Sequence, residues 1–295
     1  MLSNNGPIVV VGTAAVDLIT CEGDSHERRA GGSGANIAVG LAALGMDVCF
    51  IGGVGDDDNG HFIIDDLQQH DVNTAHMVVL PELETGIVVS ERKPTGEFAW
   101  KWQAAPAYFA LTDNHLSVIE GLRPAMLHLG AIPLLGEPGR SALCSLAAHW
   151  TGRVPLYFST SLSQLRTHIS RELLQAIRHT GALADVVFTS YGDNAFLGLK
   201  ATGTGRLLYT RGERGAALLG ESGEIASVPG HSVEVVNTEG AGDTFASAFM
   251  AARVRGLPEA QALAFANAAA ALSITGQGVR NMPAWGAAAH LAGIA

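Results

Sequence analysis

The sequence predicts an α/β fold, with a mostly parallel central sheet covered by helices on both faces. Three observations predict it. Short apolar runs recur along the chain without the polar alternation of a half-exposed strand, as in strands buried on both faces. Segments with helical apolar spacing lie between them, and strand–helix alternation is the signature of layered α/β architecture. Glycines stand at the ends of these elements, as in Gly12 and Gly52-Gly53, where the chain must turn. The 295 residues, 47% hydrophobic and only 16% charged, supply enough apolar side chain for one large α/β unit and argue against disorder.

In order, Ile8 to Val11 is a β-rich run ended by Gly12. Asn36 to Leu44 places Ile37, Leu41 and Leu44 at i, i+4 and i+7, and Gly45 follows as a C-cap. Val48 to Ile51 is a second strand. His61 to Gln69 is helical, with Phe62, Ile63 and Leu67 on one face. Later strands are expected at Met126 to Leu129, Val154 to Phe158, Val186 to Phe188 and Leu207 to Tyr209. One region breaks the rhythm. From Gly86 to Gln103, two β-rich runs flank Pro94-Thr95-Gly96, which is turn chemistry. It reads as an antiparallel hairpin standing off the α/β body, either a lid over a site or an ordinary edge hairpin.

Charge and cysteine usage exclude several functions. A formal net charge of −10 is unsuited to nucleic acid or an anionic membrane, since both depend on Lys and Arg density. It leaves room for a small anion, which a few backbone N–H groups can hold. Cys21, Cys49 and Cys144 are too few and too scattered for a disulfide framework or a zinc site, so a reducing cytoplasm is expected. The N-terminal apolar run has the length of a strand, not of a signal peptide.

Three segments carry candidate chemistry. Gly31-Gly32-Ser33-Gly34-Ala35-Asn36 precedes the first apolar helix. Glycines there allow close backbone approach, a helix start offers free N–H groups, and Asn36 suits a hydroxyl partner; a plain loop and helix start is the alternative. Gly240-Ala241-Gly242-Asp243 opens a helix with Phe245, Phe249 and Met250 on one face, ending near Gly256. Three small residues at a helix N-terminus make an anion cradle. Asp243 could merely cap the helix, but a cap does not explain the small residues ahead of it. A carboxylate beside such a cradle is what phosphoryl transfer to an alcohol requires. Thr210-Arg211-Gly212-Glu213-Arg214-Gly215 follows a strand, and reads as a hairpin turn or as the rim of a nucleotide crevice. A P-loop, a protein-kinase catalytic loop, a zincin helix and a complete dinucleotide fingerprint are all missing.

Taken together, these segments resemble the ribokinase-like (PfkB) sugar kinase family along nearly the whole chain. GGSGANIAVGLAALGMDVCFIGGVGDDDNG at 31–60 is similar to its N-terminal signature, and NTEGAGDTFASAF at 237–249 to its C-terminal one. The resemblance implies a single three-layer α/β/α ribokinase-like domain over 1–295, with a small β lid from segments near 13–30 and 84–110. It implies Asp243 as catalytic base, with Gly240, Ala241 and Gly242 as the anion hole. Asp17, Gly32 and Asn36 match acceptor-binding positions, and Thr210, Gly212 and Asn267 match positions near the nucleotide. ATP and Mg²⁺ are the implied cofactors, and a homodimer joined through the lids the implied assembly.

The chain departs from the family pattern at several points. Ser190 and Asp193 stand where the magnesium-linked motif has Asn and Glu, so Asp193 is the expected metal contact. Asn237 replaces a common Asp linked to a monovalent cation. Gly130 and Ala15 replace sugar-binding polar residues of ribokinases, which argues against ribose. Ser33 stands where phosphosugar kinases place Lys, which favours an unphosphorylated sugar or nucleoside. Phe98, Trp100, Trp102, Tyr108 and Phe109 suit stacking on an acceptor or packing between lids. The rival readings are a nucleotide-cofactor oxidoreductase and a ligand-binding regulator that kept the fold without turnover.

Overall fold

The computed structural model describes residues 6–20, 26–92, 98–103, 107, 110–112, 114–162 and 169–294. The first half of the chain contains β1 (Ile8–Val11), β2 (Ala15–Thr20), β3 (His26–Gly31), α1 (Ser33–Ala43), β4 (Val48–Ile51), β5 (Gly53–Gly55), α2 (Asp58–Gln69), β6 (Val78–Leu80), β7 (Ile87–Arg92), β8 (Phe98–Gln103), α3 (Asn114–Leu122) and β9 (Met126–Gly130). There follow α4 (Gly139–Trp150), β10 (Leu156–Ser159), α5 (Arg171–Leu183), β11 (Val186–Ser190), α6 (Tyr191–Leu197), β12 (Arg206–Thr210), β13 (Ala216–Gly220), β14 (Gly223–Val228), α7 (Ala241–Val254), α8 (Glu259–Ser273) and α9 (Trp285–Leu291).

Among the described residues, eight strands form the central sheet in the order β14-β13-β12-β11-β10-β9-β1-β4. Pairing is parallel from β4 through β12 and antiparallel at β13 and β14. The strands are mostly apolar because both faces are covered, and alternate residues serve opposite layers. Ile8 and Val10 face a cluster with Ile37 and Leu41 of α1, Phe249 of α7 and Phe265 of α8. Val9 and Val11 face Ile119 of α3, Leu143 of α4 and Ile177 of α5. The three-layer α/β/α architecture expected from the sequence is therefore present.

Element boundaries shift where backbone geometry overrides side-chain pattern. The first helix starts at Ser33, not Asn36, because Gly32 takes a positive φ of 89° and turns the chain directly into it. The helix expected from His61 starts at Asp58, since Asp57 accepts the Gly60 N–H at 2.7 Å as its N-cap. Arg211–Gly215 joins β12 to the antiparallel β13, so the hairpin reading of that segment holds.

A second sheet, ordered β3-β2-β7-β8, stands apart from the first. The expected hairpin is its β7–β8 pair, registered from Ile87↔Gln103 to Arg92↔Phe98, while the Pro94-Thr95-Gly96 turn lies outside the described residues. So do Tyr108 and Phe109. Residue pattern alone did not mark β2 and β3, which only the family resemblance pointed to through the lid segment near 13–30: His26-Glu27-Arg28-Arg29 carries no apolar alternation, and only pairing with β2 makes it extended.

The two sheets meet where the chain leaves β1. Gly12 and Gly34 approach so closely that a Cβ on Gly34 would lie 2.8 Å from the Thr13 amide nitrogen and 2.9 Å from the Gly12 Cα. Backbone cannot rotate aside as a side-chain tip can. A Gly34→Val substitution should lower unfolding free energy by ~1–3 kcal/mol or more through overpacking. Urea titration measures it, and an unchanged midpoint would show that this contact is slack.

Candidate active site

A cavity of ≈ 410 Å³ opens at the carboxyl ends of the parallel strands, where α/β sheets place ligands. Thr13 follows β1, while Ser159, Ser190 and Thr210 end β10, β11 and β12, and all four line it. The start of α7 closes one side. Gly240, its N-cap, is in the left-handed region at φ 71° and uses no side chain as a cap. The Ala241 N–H donates to Thr238 O at 3.4 Å, while the Gly242 and Asp243 N–H groups have no backbone partner among the described residues and are left for a ligand.

Asp243 sits in that first turn, part-buried, and its two oxygens are both engaged. Ser33 Oγ donates to Oδ1 at 2.6 Å, and Asn36 Nδ2 donates to Oδ2 at 2.9 Å. The Asn36 amide is itself oriented: Arg280 Nη1 donates to its Oδ1 at 2.7 Å, while Arg280 Nη2 holds Asp66 Oδ2 of α2 at 2.7 Å. Burial raises the Asp243 carboxyl above the ordinary range, against the Ser33 and Asn36 hydrogen bonds and the Arg280 charge.

Asp17 lies in β2, opposite Arg29 of β3, and lines the same cavity. Burial first, then the neighbouring Glu239 and Asp243 carboxylates, push its carboxyl up to about 7, with Arg280 and Arg29 pulling the other way. Glu239 is tethered by Asn237, which donates from Nδ2 to Glu239 Oε2 at 3.1 Å and accepts the Glu239 N–H at 2.8 Å.

Of the sequence-predicted residues, Asp17, Gly32, Asn36, Asp193, Thr210, Gly240, Ala241, Gly242 and Asp243 come together on this wall. Gly212 and Asn267 do not. Gly212 begins the turn of the β12–β13 hairpin, and Asn267 Nδ2 donates to Pro229 O at 2.9 Å. Asp193 is only 3% exposed in the first turn of α6, whose N-cap Ser190 accepts the Asp193 N–H at 2.9 Å. Ala15 presents methyl surface to the cavity.

Sequence reasoning did not assign sites to Thr13, Glu239 or Arg280. Arg280 left one faint signal, a lone cation in the glycine-rich stretch after α8. It also passed over His128, fully buried in β9, whose Nε2 lies 2.8 Å from Ser159 Oγ on the wall. Burial drops that imidazole to about 3, so it is neutral and holds Ser159 as a fixed polar contact.

The chain matches the pfkB family carbohydrate kinases over residues 6–285. It belongs to that family. The kinase is 32% identical to a fructokinase of Klebsiella pneumoniae, over 93% of this chain and 95% of the relative. It is 27% identical to an aminoimidazole riboside kinase of Salmonella typhimurium, over 91% and 89%. A sugar kinase of Pyrococcus horikoshii, solved in complex with ATP, superposes with a TM-score of 0.85 at 28% identity, covering 95% of this chain and 96% of that one. The kinase is accordingly a phosphotransferase acting on an alcohol group, and the oxidoreductase alternative is set aside. Among the described residues, no helix of the kinase is long and apolar enough to cross a membrane.

Burial of the Asp17 carboxyl makes stability depend on pH. A carboxyl with a folded-state pKa near 7 holds its proton where the unfolded chain, at 3.8, has lost it. The folded state therefore binds more protons between about pH 4 and 7, and stability falls as pH rises through that window. Asp17→Asn should raise the melting temperature of the ligand-free kinase at pH 8 by ~2–4 °C or more, with the gain gone by about pH 4. Scanning calorimetry at the two pH values checks it; equal melting at pH 8 would place Asp17 in a well-solvated site.

Proposed function

We propose that this kinase transfers the γ-phosphoryl group of ATP to a hydroxyl of an unphosphorylated sugar or nucleoside, with Asp243 as general base. One observation carries the reading. Among the described residues, the cavity wall holds four carboxylates, Asp17, Asp193, Glu239 and Asp243, and no Lys or Arg. An acceptor bearing its own phosphate would be repelled there, whereas a neutral polyol finds acceptors for its hydroxyls. Ser33, already committed to Asp243, leaves no cation at the position where phosphosugar kinases place one.

The same acidity explains the need for a metal. A nucleotide triphosphate enters such a cavity only with its charge offset. Among the described residues, no cluster of three His, Cys, Asp or Glu forms a protein-only cage. That suits Mg²⁺, which binds through one or two carboxylates together with phosphates and water. Asp193 would hold it, and the ion would screen the phosphate charge during transfer.

In the proposed mechanism, Asp17, Gly32 and Asn36 bind the acceptor's hydroxyls and leave one beside Asp243. As the phosphoryl group moves onto that oxygen, Asp243 takes the proton. Backbone N–H groups of Gly240, Ala241, Gly242 and Asp243 stabilise the phosphoryl oxygens. Thr210 meets the nucleotide from the wall, and Gly212 and Asn267 support it indirectly. Asn267 anchors Pro229, and the 228–230 segment packs on the hairpin turn, where a Cβ at Gly215 would strike Val228 O. The β3-β2-β7-β8 sheet, which contributes Ala15, Asp17 and Val88 to the wall, would act as the lid that excludes water. We assign the protein to the cytoplasm, with lid-to-lid homodimers as the proposed assembly; light scattering on the purified protein decides the latter.

ATP consumption across a panel of hexoses, pentoses and nucleosides should reveal one preferred neutral acceptor; a preference for phosphorylated sugars would overturn the acidic-cavity argument. With that acceptor, Asp243→Asn should lose ~10²–10⁴-fold in kcat while melting within a few degrees of the parent. Near-parental turnover would remove Asp243 from the chemistry. The kcat/KM of the parent should fall on acidification, with a pKa above the ordinary carboxylate range, because the base works only ionised and burial raises it.

A further inference from the structure

At the amino-terminal edge of the sheet, remote from Asp243, a second cavity of ≈ 460 Å³ lies between the starts of β9, β10, β11 and β12 and the end of α7. Its volume falls within the ~300–1,000 Å³ typical of small-molecule sites. Three guanidinium groups line it: Arg153, Arg206 and Arg253. Two carboxylates accompany them, and both are committed. Glu259 pairs with Arg206 at 3.2 Å, and Asp185 Oδ2 accepts the Leu156 N–H at 2.8 Å.

Arg153 and Arg253 are bound only by neutral or weakly basic partners. Arg153 Nη1 lies 2.8 Å from His149 Nε2, and Arg253 Nη1 donates to Leu257 O. Neither has a carboxylate partner among the described residues. Tyr157, a side chain only 5% exposed, lines the same cavity as Arg253, whose positive charge acts on its hydroxyl. Two guanidinium forks and a buried hydroxyl converge on one hollow. Guanidinium matches the oxygens of a phosphate group in shape and in charge.

We propose that this second cavity binds the phosphate group of a small phosphorylated metabolite, gripped by Arg153 and Arg253. The ligand would sit at the far end of the helix that carries Asp243. Its contacts would also reach the first cavity through side chains. Tyr157 and Phe249, which line the second cavity, pack on Phe188, which lines the first, with ring centroids 5.9 and 5.7 Å away.

The test is equilibrium dialysis of the whole protein with radiolabelled inorganic phosphate and, separately, glucose 6-phosphate. Saturating Mg²⁺ and a non-hydrolysable ATP analogue are present to fill the first cavity. Saturable binding of one ligand per chain is expected, weakened at least tenfold in Arg253→Met and in Arg153→Met. The latter alters an exposed side chain and should leave folding intact, which a thermal melt verifies. Tighter binding of the sugar phosphate would identify a monoester as the occupant, and equal binding the phosphate group alone. Absence of saturable binding of both ligands, or binding within twofold of the parent in both arginine variants, would overturn the proposal.

Discussion

The site depends on holding an ionisable carboxylate out of water without letting it turn away. Asp243 is aimed by two short hydrogen bonds, one from Ser33 and one from Asn36, both on α1. A desolvated carboxylate without such donors would protonate or swing toward solvent. With them it stays in place as an acceptor. The donors in turn require α1 and α7 to meet at their N-termini. That meeting rests on glycines: Gly12 and Gly34 bring α1 against the end of β1, and Gly32 and Gly240 adopt positive φ to start the two helices.

Arg280 extends this constraint outward. It links Asp66 on α2 to the Asn36 amide on α1, so three helices and a C-terminal loop fix one side-chain orientation. An asparagine amide can flip at little cost. A cation on its oxygen makes one orientation favourable, and that orientation points the Nδ2 donor at Asp243. The cation stands behind the wall and not on it, so it steadies the carboxylates while the cavity stays acidic. Preorganisation of this kind places donors and acceptors before substrate arrives, which is where most electrostatic catalysis originates.

The acidic cavity also shows function working against stability. Burial first, and then the neighbouring Glu239 and Asp243 carboxylates, raise the Asp17 carboxyl, so ionising it here opposes stability. A fold selected for stability alone would not gather them. Perturbed carboxylates crowded in a cleft at the carboxyl edge of a parallel sheet are characteristic of a functional site, kept at some cost in stability.

Much of this was legible in the sequence. Uninterrupted apolar strands and helical spacing determine a sheet covered on both faces, because side-chain periodicity follows directly from backbone geometry. The Gly240–Asp243 and Gly31–Asn36 segments were legible as two glycine-rich helix starts bearing a carboxylate and an amide, since both signals are local, and the fold places both on one cavity. Tertiary structure alone decided the rest. The strand character of His26–Arg29 comes from pairing with β2, not from its own composition. The displacement of Gly212 and Asn267 from the cavity wall, the Arg280 relay and the His128 support of Ser159 all join residues distant in the chain. Local pattern says which conformations a segment prefers; only the packed fold brings residues 36, 66, 243 and 280 within hydrogen-bonding distance, because such contacts depend on how layers meet and not on neighbours in sequence.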